Sequence, residues 1–194
     1  FTCAGLDQGH HPAIVSAIMK YHATDRMREA VNDAMDVHGG KAIIDGPLNY
    51  LGNVYRSVPV GITVEGANIV TRSLIIFGQG ATRDHPYLLD EMEALGGEGS
   101  DALEKFDDTV WKHAGHILKN TGTSLAAAWS GGASANAPKG AGALKGYYKQ
   151  MSRYAASLAA TADFALISLG GTLKRKESIS ARYGDILSEL YLLS

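Results

Sequence analysis

Cysteine is nearly absent from the 194 residues. Cys3 is its only instance, which excludes an internal disulfide and fits a reducing, cytoplasmic compartment. An excess of one charge is lacking as well: 18 basic side chains stand against 20 acidic ones, the formal charge is −2, and the sequence pI is near 6.4. Nothing in that overall balance suggests the strongly basic face with which nucleic-acid binders gather phosphates, so no nucleic-acid partner is expected. Phe1 to Gly9 has neither an initiating methionine nor the basic and apolar regions of a leader, and the chain is expected to begin within a longer protein. No apolar run is pure. The longest, Tyr154 to Leu173, has the length of a membrane span but carries Asp163, Ser168 and Gly170-Gly171, and it reads better as a buried bundle helix. No segment alternates at the period of a strand, and no internal repeat is present.

What is there is 45% hydrophobic content, ample for a core, and helical spacing. Pro12 suits a first helical turn. From it, Ile14, Val15, Ile18, Met19, Met27, Val31 and Met35 recur at helical intervals to His38, where Gly39-Gly40 should end the helix. Lys41 to Gly61, rich in glycine, proline and asparagine, reads as a connection with at most a short helix near Leu51 to Val58. A second helix is expected from Asn68 until Gly78-Gln79-Gly80 stops it. Arg83 to Pro86 is turn-like, and the acidic stretch Asp90 to Gly99 reads as a solvated linker. Beyond it, helices are expected over Asp101 to Asn120, Ser124 to Ser130, Leu144 to Leu169 and Ser178 to Leu193. Gly131 to Gly142 should be a loop, and Ser178 should cap the last helix. The fold class is therefore all-α, a helical bundle over residues 1–84 with an appended helical domain over residues 85–194. Charge is polarised along the chain: Asp84 to Lys112 holds nine acids against two lysines, and Lys139 to Ser194 eight bases against four acids.

Two short stretches could carry chemistry. In Asp36-Val37-His38-Gly39-Gly40-Lys41, bare glycine backbone at a helix end could approach a phosphate or a ring closely, or could simply cap the helix. His38 has no second ligand at metal spacing and reads as a packing histidine, so no metal is expected there. In Val64-Glu65-Gly66-Ala67-Asn68, Glu65 could be a carboxylate base if burial raises its pKa, or it could complement the dipole of the helix it precedes.

Taken together, the two stretches say more. Helix, Gly-Gly, a loop containing Arg56, then Glu-Gly opening another helix resembles the C-terminal helical domain of acyl-CoA dehydrogenases. The wording Asn32-Asp33-Ala34-Met35-Asp36-Val37-His38-Gly39-Gly40 and Val64-Glu65-Gly66-Ala67-Asn68-Ile69-Val70-Thr71-Arg72-Ser73-Leu74 is closer to the large bacterial FadE-type enzymes. Gly170 to Glu177 and Ser180 to Asp185 look like the extra C-terminal domain that those enzymes append.

The resemblance implies a flavoenzyme of fatty acid β-oxidation that oxidises a long- or medium-chain acyl-CoA to trans-2-enoyl-CoA. FAD would be its cofactor, and an electron-transfer flavoprotein or another acceptor would take up the electrons. Glu65 would be the α-proton base, and its backbone N–H would polarise the thioester carbonyl, with Gly66 beside it at the substrate. Gly39 and Gly40 match glycines that lie against the FAD of a neighbouring subunit, which implies a homo-oligomer. Asp36 and Ala67 fall at cofactor-contacting positions but depart from the family pattern. Asp36 would repel a pyrophosphate, and Ala67 cannot donate the hydrogen bond that a threonine gives there. Arg56 is expected to be structural. Lys174-Arg175-Lys176 beside an apolar helix leaves two readings open, a solvated helix end or a peripheral contact with the bacterial inner membrane. An acyl-CoA oxidase on the same fold, or a non-catalytic helical interaction module, would share these residues.

Overall fold

The computed structural model describes residues 1–194 and contains helices without a strand. The elements are α1 (Thr2–Asp7), α2 (Ala13–His38), α3 (Gly40–Ile43), α4 (Leu51–Thr63), α5 (Asn68–Val70), a π-helical stretch (Thr71–Gln79), α6 (Gly80–Arg83), α7 (Leu88–Gly96), α8 (Ser100–Trp129), α9 (Lys145–Leu169) and α10 (Glu177–Leu193). Short 3-10 turns at Gly142–Leu144 and Gly170–Arg175 precede α9 and α10. The chain divides into two compact units, Phe1–Ile76 and Phe77–Ser194.

In the first unit α2 packs along α4. Ile14 and Ile18 of α2 and Val58 of α4 are buried, as their helical spacing requires. Pro12 immediately precedes α2, and Gly39 follows it at φ +54°, a conformation open to glycine and costly for other residues. The expected connection up to Gly61 is instead largely helix. α4 runs through Pro59 to Thr63, because Leu51, Val54, Val58 and Ile62 form an apolar stripe whose packing outweighs one proline and two glycines. Gly78-Gln79-Gly80 does not stop the next helix either. Both glycines are buried, and the helix passes through Gly78 in π form and through Gly80 as the first residue of α6.

The second unit is a bundle in which α8 packs on α9 and on α7, and α10 packs on α9. Ser180, Ala181, Gly184 and Ser188 form the buried face of α10, small side chains that let two helices approach closely. Phe77 and Tyr183 stack with ring centroids 4.4 Å apart. The acidic stretch read as a linker contains α7: Asp90 and Glu91 lie in its first turn, where negative charge suits the helix dipole, and Ala94 is buried. The two expected helices over residues 101–130 are one, α8, which is continuous through Gly122. Ser178 lies inside α10 and makes no cap bond, since the helix already begins at Glu177. Two helical stretches, Leu51–Arg83 and Gly142–Arg175, are long and apolar enough to cross a membrane by length and composition. The first is interrupted at residues 64–67, and the second carries the buried Asp163.

Candidate active site

Glu65 occupies the four-residue break between α4 and α5, residues 64–67. It is the only residue other than glycine with positive φ, at +55°, and Gly66 follows at +81°. A left-handed glutamate costs roughly 1–2 kcal/mol relative to ordinary backbone, so the surrounding structure must hold it. A polar cluster in the same unit does so. Lys20 of α2 donates to the Gly66 carbonyl and to Asn68 Oδ1, at 2.7 Å each. Thr71 Oγ1 donates to the same Gly66 carbonyl at 3.2 Å. Asn68, 5% exposed, donates to Thr24 Oγ1 and Asp25 Oδ1 at 2.8 Å each. The backbone N–H of Glu65 takes part in none of the chain's backbone hydrogen bonds, and the side chain is exposed.

The glycine pair lies elsewhere in the unit. Lys20 and Gly39 are 19 residues apart on and just beyond α2, which at about 1.5 Å per residue separates the Glu65 turn from Gly39 by roughly 28 Å along the helix axis. One chain thus holds Glu65-Gly66 beside the first half of α2 and Gly39-Gly40 just beyond its C-terminus. Gly39, Gly40 and Asp36 are exposed, and a Cβ added at either glycine would meet nothing within 4 Å. That bare, open backbone fits the close approach of a flat or phosphorylated cofactor. Asp36 does not favour a pyrophosphate at its own position, and Ala67, half-buried just before α5, offers no side-chain donor.

Beside the glycines, His38 Nδ1 bonds the Ala34 carbonyl at 2.8 Å and its Nε2 bonds the Tyr50 hydroxyl. His38 is thus a packing histidine. Together with Lys41, Leu48 and Asn49, His38 and Tyr50 line a cavity of about 340 Å³. Arg56 pairs with Asp45 Oδ1 at 3.3 Å and bonds Asn53 Oδ1 at 2.9 Å, tying the loop before α4 to the helix. Sequence reasoning missed Lys20, Asn68 and Asn49. Asn49 accepts from the Gly52 N–H at 2.8 Å and donates to the Ala42 and Ile44 carbonyls, and a Cβ on Gly52 would come within 3.0 Å of its amide. For Asn49, asparagine two residues before a helical run was the available signal.

The geometry defines an all-α unit with a conformationally strained carboxylate and, well apart from it, an exposed glycine pair. Comparison with protein families gives this arrangement its kinship. Residues 82–194, more than half of the chain, match the family described as acyl-CoA dehydrogenase, C-terminal, bacterial type, and residues 1–78 match the acyl-CoA dehydrogenase C-terminal domain. The chain belongs to the acyl-CoA dehydrogenase family. No solved structure matches it.

Proposed function

We propose that this chain supplies the catalytic base of a flavin-dependent acyl-CoA dehydrogenase acting in fatty acid β-oxidation. The observation that carries the reading is Glu65, a non-glycine residue kept in a left-handed turn by the Lys20–Asn68 cluster. Strain of this kind persists where a side chain must be aimed. The Glu65 carboxylate takes the α-proton of the acyl thioester, and the free Glu65 N–H donates to the thioester carbonyl, which makes that α-carbon acidic. FAD, when bound, would supply the hydride acceptor for the β-hydrogen as trans-2-enoyl-CoA forms, and an electron-transfer flavoprotein or another acceptor would take up the electrons.

Glu65 is exposed in this chain, whereas proton abstraction from carbon calls for a site closed to water. The acyl chain and further polypeptide supply that closure in the working enzyme. The first unit has apolar surface to offer such partners, because Val37, Ile43, Ile44, Leu48 and Ile69 are all exposed. Gly39 and Gly40, too far from Glu65 to share its reacting centre, serve the FAD of a neighbouring subunit in a homo-oligomer. The test is Glu65→Gln in the intact dehydrogenase: flavin stays bound while anaerobic bleaching by acyl-CoA slows by about 10²–10⁴-fold, the range for loss of a positioned base. An unchanged rate rejects Glu65 as the base. Oxygen uptake with acyl-CoA and no added acceptor would place the enzyme among the oxidases.

A further inference from the structure

The second unit contains a group of titratable side chains that the dehydrogenase chemistry does not use. His85 comes from the turn before α7, His113 and His116 from one face of α8, and Asp163 from the middle of α9. The ligand atoms of His85, His116 and Asp163 lie within 4.8 Å of one another. Asp163 has a side chain only 3% exposed, and its Oδ1 accepts from His85 Nε2 at 2.9 Å. Its Oδ2 is fully buried and has no hydrogen-bond partner. Nearby, His113 Nδ1 bonds Glu91 Oε1 at 2.7 Å, which leaves Nε2 as a bare lone pair, also buried and unpartnered. The His113 ring is 4.6 Å from that of His85, centroid to centroid. His116 Nε2 accepts from the Asn120 amide at 2.8 Å, which leaves Asp163 Oδ2 and His113 Nε2 as the buried acceptors without a donor. A buried acceptor left in that state is destabilising, and a bound cation removes that penalty.

We propose that His85, His116 and Asp163 form a binding site for a zinc-class divalent cation in the second unit. Two imidazoles and one carboxylate suit zinc and its transition-metal neighbours, whereas magnesium and calcium ask for oxygen throughout. The three residues share the wall of a cavity of about 240 Å³ that is otherwise lined by Asp84 and by mostly apolar residues such as Phe77, Leu158 and Leu166, so the ion keeps an open coordination position toward it. Burial pushes the His85 pKa below its ordinary value, more strongly than the Asp163 hydrogen bond raises it, and a neutral imidazole is the form that ligates. In the metal-free arrangement His85 Nδ1 accepts from the Tyr87 and Leu88 amides at 3.2 Å, so its proton rests on Nε2. Metal binding moves that proton to Nδ1 and turns the ring off those two long bonds as the three ligands close in. The ion then joins the α6–α7 turn, α8 and α9.

The experiment uses the 194-residue chain, stripped with chelator and dialysed against zinc chloride, with bound metal counted. One zinc per chain is expected, and His116→Ala and Asp163→Ala should each weaken binding by more than about 100-fold, beyond the roughly 10–100-fold that loss of a supporting residue costs. A His10→Ala/His11→Ala variant, removing the exposed pair near the N-terminus, should bind as the parent does. Histidine modification with diethylpyrocarbonate, mapped by mass spectrometry on the unaltered chain, covers the case in which a variant fails to fold. Zinc should then shield His85 and His116. No bound zinc, or binding and shielding that follow His10 and His11 instead, overturns the site.

Discussion

The ammonium of Lys20 stands 2.7 Å from the carbonyl oxygen of Gly66, across 46 residues of sequence, and it grips Asn68 Oδ1 at the same distance. This one side chain fastens the C-terminal side of the strained turn, and the start of α5 after it, to α2. Hydrogen bonds to a charged group are worth about 1.5–3 kcal/mol. Lys20→Met should therefore destabilise the chain by roughly that amount, read by chemical denaturation. In the intact dehydrogenase it should lower the rate of flavin bleaching with little change in acyl-CoA binding, because the turn loses its aim while the pocket stays. Lys20→Arg should recover part of both. Unaltered bleaching in Lys20→Met would show that Glu65 is aimed by something else.

The strain at Glu65 has a consequence for stability that is opposite to its consequence for activity. Glycine adopts φ +55° at no steric cost, although it is also freer in the unfolded chain. Glu65→Gly should stabilise the chain by about 0.5–1 kcal/mol while abolishing turnover, whereas Glu65→Ala should abolish turnover with no stability gain. Equal unfolding midpoints for the glycine and alanine variants would mean that the turn stores no strain.

Much of this was readable in the sequence, and what was not has physical causes. α2 was legible because its apolar residues repeat at helical spacing between Pro12 and Gly39. Glu65 and the glycine pair were legible as motifs, but the distance between them was not, since it follows from α2 being straight helix throughout. α4 was under-read because Gly52, Pro59 and Gly61 weigh against helix locally, while the packing of Val58 against α2 decides the matter. α7 was taken for a linker on its acids and glycines, although Asp90 and Glu91 sit where the dipole welcomes them. Only one part of the histidine cluster has a signature in the sequence, His113 and His116 at a spacing of three on one helix. Its members come from three separate segments, and only the packing of α7, α8 and α9 brings them together.

In the second unit, Phe77 and Tyr183 stack nearly parallel, at 14° between ring planes, and the Tyr183 hydroxyl donates to the Thr161 carbonyl at 2.9 Å. Phe77 is buried, so Phe77→Ala should cost about 3–5 kcal/mol. Tyr183→Phe keeps the stack and gives up one exposed hydrogen bond, for about 0.5–1.5 kcal/mol. A double-mutant cycle between Phe77→Ala and Tyr183→Ala should return a coupling of about 0.5–1.5 kcal/mol. A coupling indistinguishable from zero would make the stacking incidental to stability.

The separation of roughly 28 Å between Gly39 and the Glu65 turn makes a further prediction about assembly. If each flavin is served by Glu65 of one chain and by the glycine pair of another, two differently damaged chains can repair each other. Glu65→Gln removes a chain's own base but leaves its glycines sound. Gly39→Val, which forces a branched side chain into φ +54° at an open surface, spoils the glycine end but leaves Glu65 sound. Each variant alone should be inactive as an assembled dehydrogenase. Co-expressed and purified as a mixed oligomer through two different tags, they should regain turnover, because some flavins then meet an intact base and an intact glycine pair. A mixed oligomer as inactive as its parents would mean that both stretches serve one chain's flavin, and the reading of Gly39 and Gly40 as a contribution to the neighbour would have to be given up.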